Sequence, residues 1–292
     1  MGGWRRRIAP YGLLGPGAIW LALFFVVPMY FMGEMALRSG SLESGGFAMT
    51  WQWSNFADAV TGYETQVLRS FLYAGAATVL ALAIAYPLAY AIALRAGRWK
   101  LLLLFAVVAP FFTTYLIRTI AWKTILADSS PAVDILQFLQ VVPPDGRVLA
   151  TGGAVVAGLT YNFLPFMILP IYASLERMDV RLIEAAKDLY ASSAKAFWRV
   201  TLPISAPGVV AGVLLTFIPA VGDYVNALLL GGAGQAMVGN VIQSLYLQQR
   251  DYPEAAALSF LMMAAILVVV VVYLRLAGTG AFMGDEDEEA RA

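Results

Sequence analysis

Six long apolar stretches divide the chain, and they limit its possible folds more than any other feature of the sequence. They lie at about residues 12–34, 69–94, 101–120, 150–173, 208–230 and 254–276. Each is near the ~20 residues that an α-helix needs to cross the hydrocarbon core of a bilayer. Charged residues make up only 13% of the chain, whereas roughly 25% is usual in a soluble domain. The sequence therefore predicts an all-α, polytopic membrane protein with six transmembrane helices.

The distribution of Lys and Arg predicts how these helices are oriented. If the N-terminus is inside, the inner segments contain thirteen Lys and Arg and the outer segments six. Because cytoplasmic segments carry the excess of positive charge, both termini are predicted to be cytoplasmic. The predicted organisation is a cytoplasmic N-terminal segment (1–11), a transmembrane domain (12–276) and an acidic cytoplasmic tail (277–292). The first apolar stretch is too long for a cleaved signal peptide, so it is interpreted as a retained helix.

Several classes of chemistry are excluded by what the chain lacks. It contains no Cys and no His, which removes the commonest metal ligands and general base. No phosphate-binding loop of the Walker type is present, and the formal net charge of zero gives no sign of a nucleic-acid partner. We predict no catalytic residues, no metal and no cofactor. An intramembrane enzyme is a less favoured reading, because the charged residues are not clustered as a catalytic site requires.

Polar residues inside the apolar stretches are the candidates for a translocation path, since ionisable groups at membrane depth usually face a cavity or the bundle interior. Asp223 and Tyr224 follow Pro219 and Gly222 in the fifth stretch, where we expect a broken helix. Asp223 either lines the path, or caps the restarted helix, or pairs with Arg118 or Lys123. The other candidates for the path are Tyr161 and Asn162. Arg118 is expected at the outer interface, and Asn162 equally fits a hydrogen bond between helices.

Residues 175–208 form the longest charged segment between two apolar stretches. The apolar spacing predicts two short helices joined by a turn, with Pro203 and Pro207 ending the second. A helix with a small apolar face at a membrane surface suits docking into a partner's groove. An ordinary solvated loop helix fits the same pattern. The orientation given above places this segment in the cytoplasm.

The same segment resembles the EAA loop of ABC importer permeases. That loop has the pattern E-A-A, three residues, G, about nine residues, then an aliphatic residue and L-P. Glu184-Ala185-Ala186 opens the match, and Val200, Leu202 and Pro203 close it. Tyr190 stands where the family has glycine, which permits a sharp turn. The resemblance implies that the loop docks on an ATPase, and the implied docking residues are Glu184, Ala185, Ala186, Asp188, Tyr190 and Ala191.

Other stretches, from about residue 70 to 265, resemble the spermidine/putrescine branch of the same family. The longest is PFFTTYLIRTIAW, residues 110–122, and FIPAVGDYVNALLLGG, residues 217–232, is another. The resemblance implies the type I ABC importer permease fold in the bacterial inner membrane. It also implies three kinds of partner: a second, non-identical permease, a dimer of cytoplasmic ATPase subunits and an extracytoplasmic solute-binding protein. The expected cargo is a polyamine. The alternatives are another small organic solute, a metal ion or, less favoured, an ion-coupled secondary transporter.

Overall fold

The structure is a computed structural model that describes residues 14–43, 45–140, 142–143 and 146–277. The predicted N-terminal segment lies outside these residues, as does the predicted tail apart from Ala277. Eleven helices of six or more residues occur in the described part of the chain. They are Leu14–Ala36 (α1), Ser54–Leu94 (α2), Gly97–Phe112 (α3), Tyr115–Ile125 (α4), Pro131–Phe138 (α5), Gly152–Glu176 (α6), Arg181–Asp188 (α7), Ser193–Val221 (α8), Val225–Leu230 (α9), Val238–Ser244 (α10) and Tyr252–Ala277 (α11).

The six predicted spans correspond to five long helices and one bent pair. The long, apolar helices are α1, α2, α6, α8 and α11. The remaining span, the third in chain order, consists of α3 and α4, whose axes differ by 96° across a break of two residues. At the break, Thr113 and Thr114 have extended backbone angles. The prediction of a six-helix membrane fold is confirmed, and the bend replaces the straight third span expected at 101–120.

The second span begins much earlier in the chain than hydropathy indicates. α2 starts at Ser54 rather than near residue 69, and it bends at Tyr63, where φ is −127° and ψ is 19°. Its first turns contain Asp58 and Glu64, so their average hydropathy is low although the backbone is helical. Hydropathy identifies the part of a helix that suits lipid, and the polar start of α2 is invisible to it.

The prediction that Pro203 and Pro207 end a helix is wrong. α8 continues through both prolines to Val221, so the fifth span begins near Ser193 rather than at 208. Immediately before Pro203 the helix widens into a π-helical stretch, Phe197–Thr201, in which the Leu202 N–H donates to the carbonyl of Phe197. A wider turn accommodates a proline ring that would clash in a regular α-helix.

In one compact unit the described residues are 14–43, 45–64 and 241–265. Its described part contains an antiparallel hairpin that sequence reasoning did not predict, with strands Arg38–Ser41 (β1) and Gly46–Met49 (β2). Asn55 secures the start of the hairpin, because its amide donates to the carbonyls of Ala36 and Arg38 at 2.9 and 3.0 Å. Arg38 also pairs with Glu34 at 2.5 Å.

In a second unit the described residues are 65–140, 142–143, 146–240 and 266–277. Its core contains Tyr86 and small residues of α2 against larger side chains of α6, namely Ala81, Ala85, Tyr86, Ala89, Met167, Ile168, Ile171 and Leu175. Small residues let membrane helices approach closely, which increases van der Waals contact.

The packing of α6 against α8 is close enough to require glycine. A Cβ on Gly208 would lie 2.5 Å from the carbonyl oxygen of Pro170, and a Cβ on Gly212 would lie 2.8 Å from the sulfur of Met167. These two spans therefore meet almost backbone to backbone along the middle of their length.

Candidate functional sites

The break between α8 and α9 places a carboxylate inside the second unit. α8 ends at Val221, and α9 begins at Val225. Asp223 lies between them, only 8% exposed. One of its oxygens accepts from the backbone N–H of Asn226 at 2.8 Å, and the other accepts from the hydroxyl of Tyr115. Asp223 thus caps the restarted helix, as one of the predicted alternatives has it.

Asp223 belongs to a buried polar network, which we define as Tyr115, Thr119, Asn162, Asp223 and Asn226. The Asn226 amide donates to the Tyr115 hydroxyl oxygen at 2.5 Å. The Asn162 amide donates to the side-chain oxygens of Asn226 and Thr119, at 3.1 and 3.2 Å. The network therefore connects α4, α6 and α9. Within the described residues, the side-chain oxygen of Asn162 accepts no hydrogen bond although it is buried, so one acceptor remains available for a donor.

Two of the four predicted path residues lie outside this network. Tyr161 packs on Trp122, with ring centroids 5.3 Å apart. Tyr224 is 40% exposed, and its carbonyl accepts from the amide of Asn240 at 2.8 Å. Asp223 and Asn162 are the two that the fold joins, through Asn226.

Sequence reasoning missed three members of the network. Tyr115 and Thr119 are four residues apart and so share one face of α4, a signal that is present in the sequence. Asn226 stands three residues after Asp223, the spacing of a capped helix start. Neither signal names the helix that the polar face meets, so the network itself is visible only in three dimensions.

Arg118 does not lie at an outer interface as expected. Its guanidinium stacks over the rings of Phe111 and Tyr115, 4.9 and 5.8 Å from their centroids. It lines a cavity of about 300 Å³ together with Tyr161 and Pro165, which are near the middle of α6. The bend between α3 and α4 brings Arg118 to this level, because α4 packs along α6.

Arg118 also lacks the partners that such a position normally demands. The side chain of Arg118 makes no salt bridge or hydrogen bond within the described residues, and its buried Nε has no acceptor. The proposed pairing of Asp223 with Arg118 or Lys123 is therefore wrong. Aromatic faces partly compensate the guanidinium, since a cation is attracted to the ring quadrupole.

The polar segment after α6 has the two predicted helices, α7 and the start of α8. Four of the six predicted docking residues are exposed, namely Glu184, Ala185, Asp188 and Tyr190, whereas Ala186 and Ala191 are half-buried. The hydroxyl of Ser192 caps α8 by accepting from the Lys195 N–H at 3.3 Å. We call residues 181–191 the coupling segment.

The C-terminal end of α6 is tied to α3 just before the coupling segment. Lys100 forms an ion pair with Glu176, the last residue of α6. The Lys100 ammonium also lies 5.6 Å from the centroid of the Tyr172 ring. The coupling segment therefore leaves a helix whose end is fixed to its neighbour.

Within the described residues, no group of three or more Asp and Glu side chains is arranged to hold a metal ion. The features available for function in the second unit are therefore the buried polar network, the cavity beside Arg118 and the exposed coupling segment.

Comparisons with known proteins agree with this architecture. Residues 17–278 match the family described as "Binding-protein-dependent transport system inner membrane component". The chain is 37% identical over 259 residues to the spermidine/putrescine transport system permease protein PotB of Haemophilus influenzae, covering 88% of this chain and 90% of that protein. It is 34% identical over 258 residues to PotB of Escherichia coli K12, covering 88% and 93%.

A solved structure shows the same fold at low identity. It is the crystal structure of a bacterial ABC transporter involved in the import of the acidic polysaccharide alginate. The TM-score is 0.67 at 18% sequence identity, with 94% of this chain and 96% of that chain covered.

Proposed function

The chain belongs to the family of binding-protein-dependent transport system inner membrane components, and on that premise we propose that it imports a polyamine such as spermidine or putrescine. It is a multi-pass inner-membrane permease subunit of an ABC importer, so its role is transport and not catalysis. The observation that carries the choice of cargo is the 37% identity to a PotB protein across nine tenths of both chains.

The proposed assembly follows from what the chain contains. The sequence has no phosphate-binding loop, so the energy of ATP hydrolysis has to come from other subunits. We assign two cytoplasmic ATPase subunits, a second and non-identical permease, and an extracytoplasmic solute-binding protein. Both termini are cytoplasmic in this proposal. Its support is the excess of Lys and Arg in the segments that share a side with residues 175–208.

The proposed docking surface for the ATPase is the coupling segment. Glu184, Ala185 and Asp188 present exposed side chains on one short helix. Ala186 and Ala191 complete the surface from half-buried positions. A helix that is braced on both sides transmits displacement better than a flexible loop. Here the braces are the ion pair at Glu176 and the cap at Ser192.

The proposed path lies beside the buried polar network. The residues predicted to line this path are Asp223, Asn162, Tyr161 and Tyr224. A carboxylate, an amide oxygen without a donor and aromatic faces are groups that attract an ammonium ion. In the proposed cycle of alternating access, ATP closes the ATPase dimer and displaces the coupling segment. α6 and α8 both leave that segment, and they carry Asn162 and the break at Asp223 with them.

A different cargo class has one observation in its favour. The Arg118 guanidinium lines the cavity of about 300 Å³ without an anionic partner in the described part of the chain. A cargo with a carboxylate or phosphate would find a complementary charge there. A small anionic organic solute is therefore the second candidate.

The test is the ATPase rate of the complete reconstituted complex. The chain is reconstituted with its partner permease, ATPase and solute-binding protein, and the complex is titrated with spermidine, putrescine and a panel of anionic solutes. Stimulation by the polyamines is the expected result. Stimulation by an anionic solute alone would move the proposal to the second cargo class, and an assembled complex that no solute stimulates would contradict the coupling role of residues 181–191.

A further inference from the structure

The coupling helix ends in a turn that favours glycine, yet a tyrosine occupies it. The Tyr190 N–H donates to the carbonyl of Lys187 at 2.9 Å, and the Ala191 N–H donates to the carbonyl of Ala186 at 3.0 Å. These two bonds define a Schellman motif, whose penultimate residue takes the left-handed conformation. Tyr190 has φ = 61°. A side chain at this position destabilises the turn, because its Cβ crowds the following carbonyl oxygen.

Within the described residues, no interaction of the tyrosine ring offsets this strain. Tyr190 is 98% exposed and the preceding Leu189 is 82% exposed. Within the described residues, the Tyr190 ring makes no hydrogen bond and no contact with another ring. Since neither the backbone nor the packing of the chain favours tyrosine here, a contact outside the chain accounts for it.

The surroundings of the ring favour a protein partner over a lipid surface. The exposed charged residues of the coupling segment, Arg181, Glu184, Lys187 and Asp188, carry both signs and sum to zero. A segment without net positive charge is not attracted to an anionic membrane surface. Leu189 and Tyr190 add apolar surface at the end of this segment, the combination that aromatic anchors provide at protein interfaces.

We propose that Tyr190 is a selectivity anchor. Its ring enters an apolar recess of the ATPase, at the C-terminal end of the docked coupling helix. An ATPase whose groove is closed at this point cannot dock, because the ring would clash with it. The inference rests on the proposed docking of residues 181–191, and it adds the feature that decides which ATPase docks.

Four substitutions separate the ring from the backbone. Tyr190→Phe keeps both the ring and the strain, and Tyr190→Ala keeps only the strain. Tyr190→Asn and Tyr190→Gly remove the ring and tolerate the left-handed conformation. Each variant is prepared as the permease pair in nanodiscs, and two quantities are measured: the melting temperature of the pair and its affinity for the ATPase that co-purifies with the natural chain.

The two quantities are expected to respond to different features. The melting temperature should rise by about 2 °C in the Gly and Asn variants, which relieve the strain, and stay level in the Ala and Phe variants. Affinity should fall about tenfold in the Ala, Asn and Gly variants, which lack the ring, and be retained in the Phe variant. An ATPase whose own permease carries glycine at this position should bind the Gly variant better than the natural chain.

Equal affinity across all four variants would overturn the selectivity role. If the ring instead rests on lipid, the Ala variant will leave ATPase affinity unchanged, which also overturns the proposal. Ala185→Arg distinguishes this failure from failure of the coupling role. If Ala185→Arg abolishes ATPase binding while the Tyr190 variants have no effect, only the selectivity anchor is wrong. If Ala185→Arg has no effect either, the docking surface itself is wrong.

Discussion

At the end of α7 the backbone caps itself, whereas at the start of α9 a side chain does the capping. The Schellman turn at Tyr190 leaves every side chain of the coupling segment without a capping task. Asp223, in contrast, uses one carboxylate oxygen to cap α9 and the other to accept from Tyr115. Side chains of the coupling segment are thus free to meet a partner, while those of the network stabilise the fold. Substitutions of exposed side chains on α7 should change function alone, and substitutions in the network should change stability as well.

The sharpest test of the exposed region is Ala185→Arg. A long cation on an exposed, small position of α7 should block docking and abolish ATP-driven uptake. The free energy of unfolding should change by less than about 0.5 kcal/mol, because the site is solvent-facing. Uptake into proteoliposomes and co-purification of the ATPase measure the effect. Ala233→Arg makes the same change at an exposed site outside the coupling segment and should leave ATPase co-purification intact. Full uptake by the Ala185→Arg protein would show that the coupling segment is not required for transport.

The corresponding test of the buried region is Asn226→Leu. The change removes the bonds to Tyr115 and Asn162, while Tyr115 keeps its bond to Asp223 and Asn162 keeps its bond to Thr119. A loss of about 2 kcal/mol is expected, because two hydrogen bonds of about 1 kcal/mol each are removed. Thermal unfolding in detergent measures it as a fall of several degrees. Gln248→Leu, an exposed amide, is the matched control. An unchanged melting temperature for Asn226→Leu would show that the network does not stabilise the fold.

The two regions also differ in how far the sequence predicts them. Residues 175–208 form a local structure, so the spacing of their apolar residues was enough to predict two short helices joined by a turn. The network joins residues that are up to 111 positions apart. The sequence marks Asp223 and Asn162 as polar residues in apolar spans, but it does not say which helices meet. Only the bend between α3 and α4 brings Tyr115 to Asp223.

The same limit explains the other differences. The hydropathy pattern predicts six spans correctly, because the length of an apolar stretch is a local property. It places the start of α8 wrongly, since proline is read as a helix end while the π-helical stretch before Pro203 accommodates the ring. It places Arg118 at an interface because an unpaired cation is expensive in lipid, and the aromatic faces that receive the guanidinium come from tertiary contacts.

Asp223→Asn tests whether a network residue also serves transport. The asparagine keeps the oxygen that caps α9, so the loss of stability should stay within about 1 kcal/mol. If the carboxylate attracts the cargo, KM for a polyamine should rise about tenfold while assembly is unchanged. Uptake kinetics and co-purification of the ATPase are the measurements. Unaltered kinetics would assign Asp223 to capping alone and restore the strict division between the two regions.

The smallest expected effect belongs to Arg118→Gln. Removing the guanidinium should lower KM for a polyamine about threefold, because like charges near the cavity repel the cargo. An anionic cargo should respond in the opposite direction, with a higher KM. Arg118→Lys keeps the charge and is the matched control in either case. An equal KM for all three proteins would show that the cavity beside Arg118 lies outside the path.

The close contact of α6 and α8 at Gly208 and Gly212 has a consequence for the evolution of the chain. Because the helices meet backbone to backbone, neither can rotate about its own axis without a clash. One residue inserted between Gly212 and Val221 would turn Asp223 by about 100° relative to the coupling segment. The length of α8 therefore fixes an angle as well as a distance. Relatives that share this packing are expected to vary in residue identity along the helix, while changes of length between Gly212 and the break are excluded.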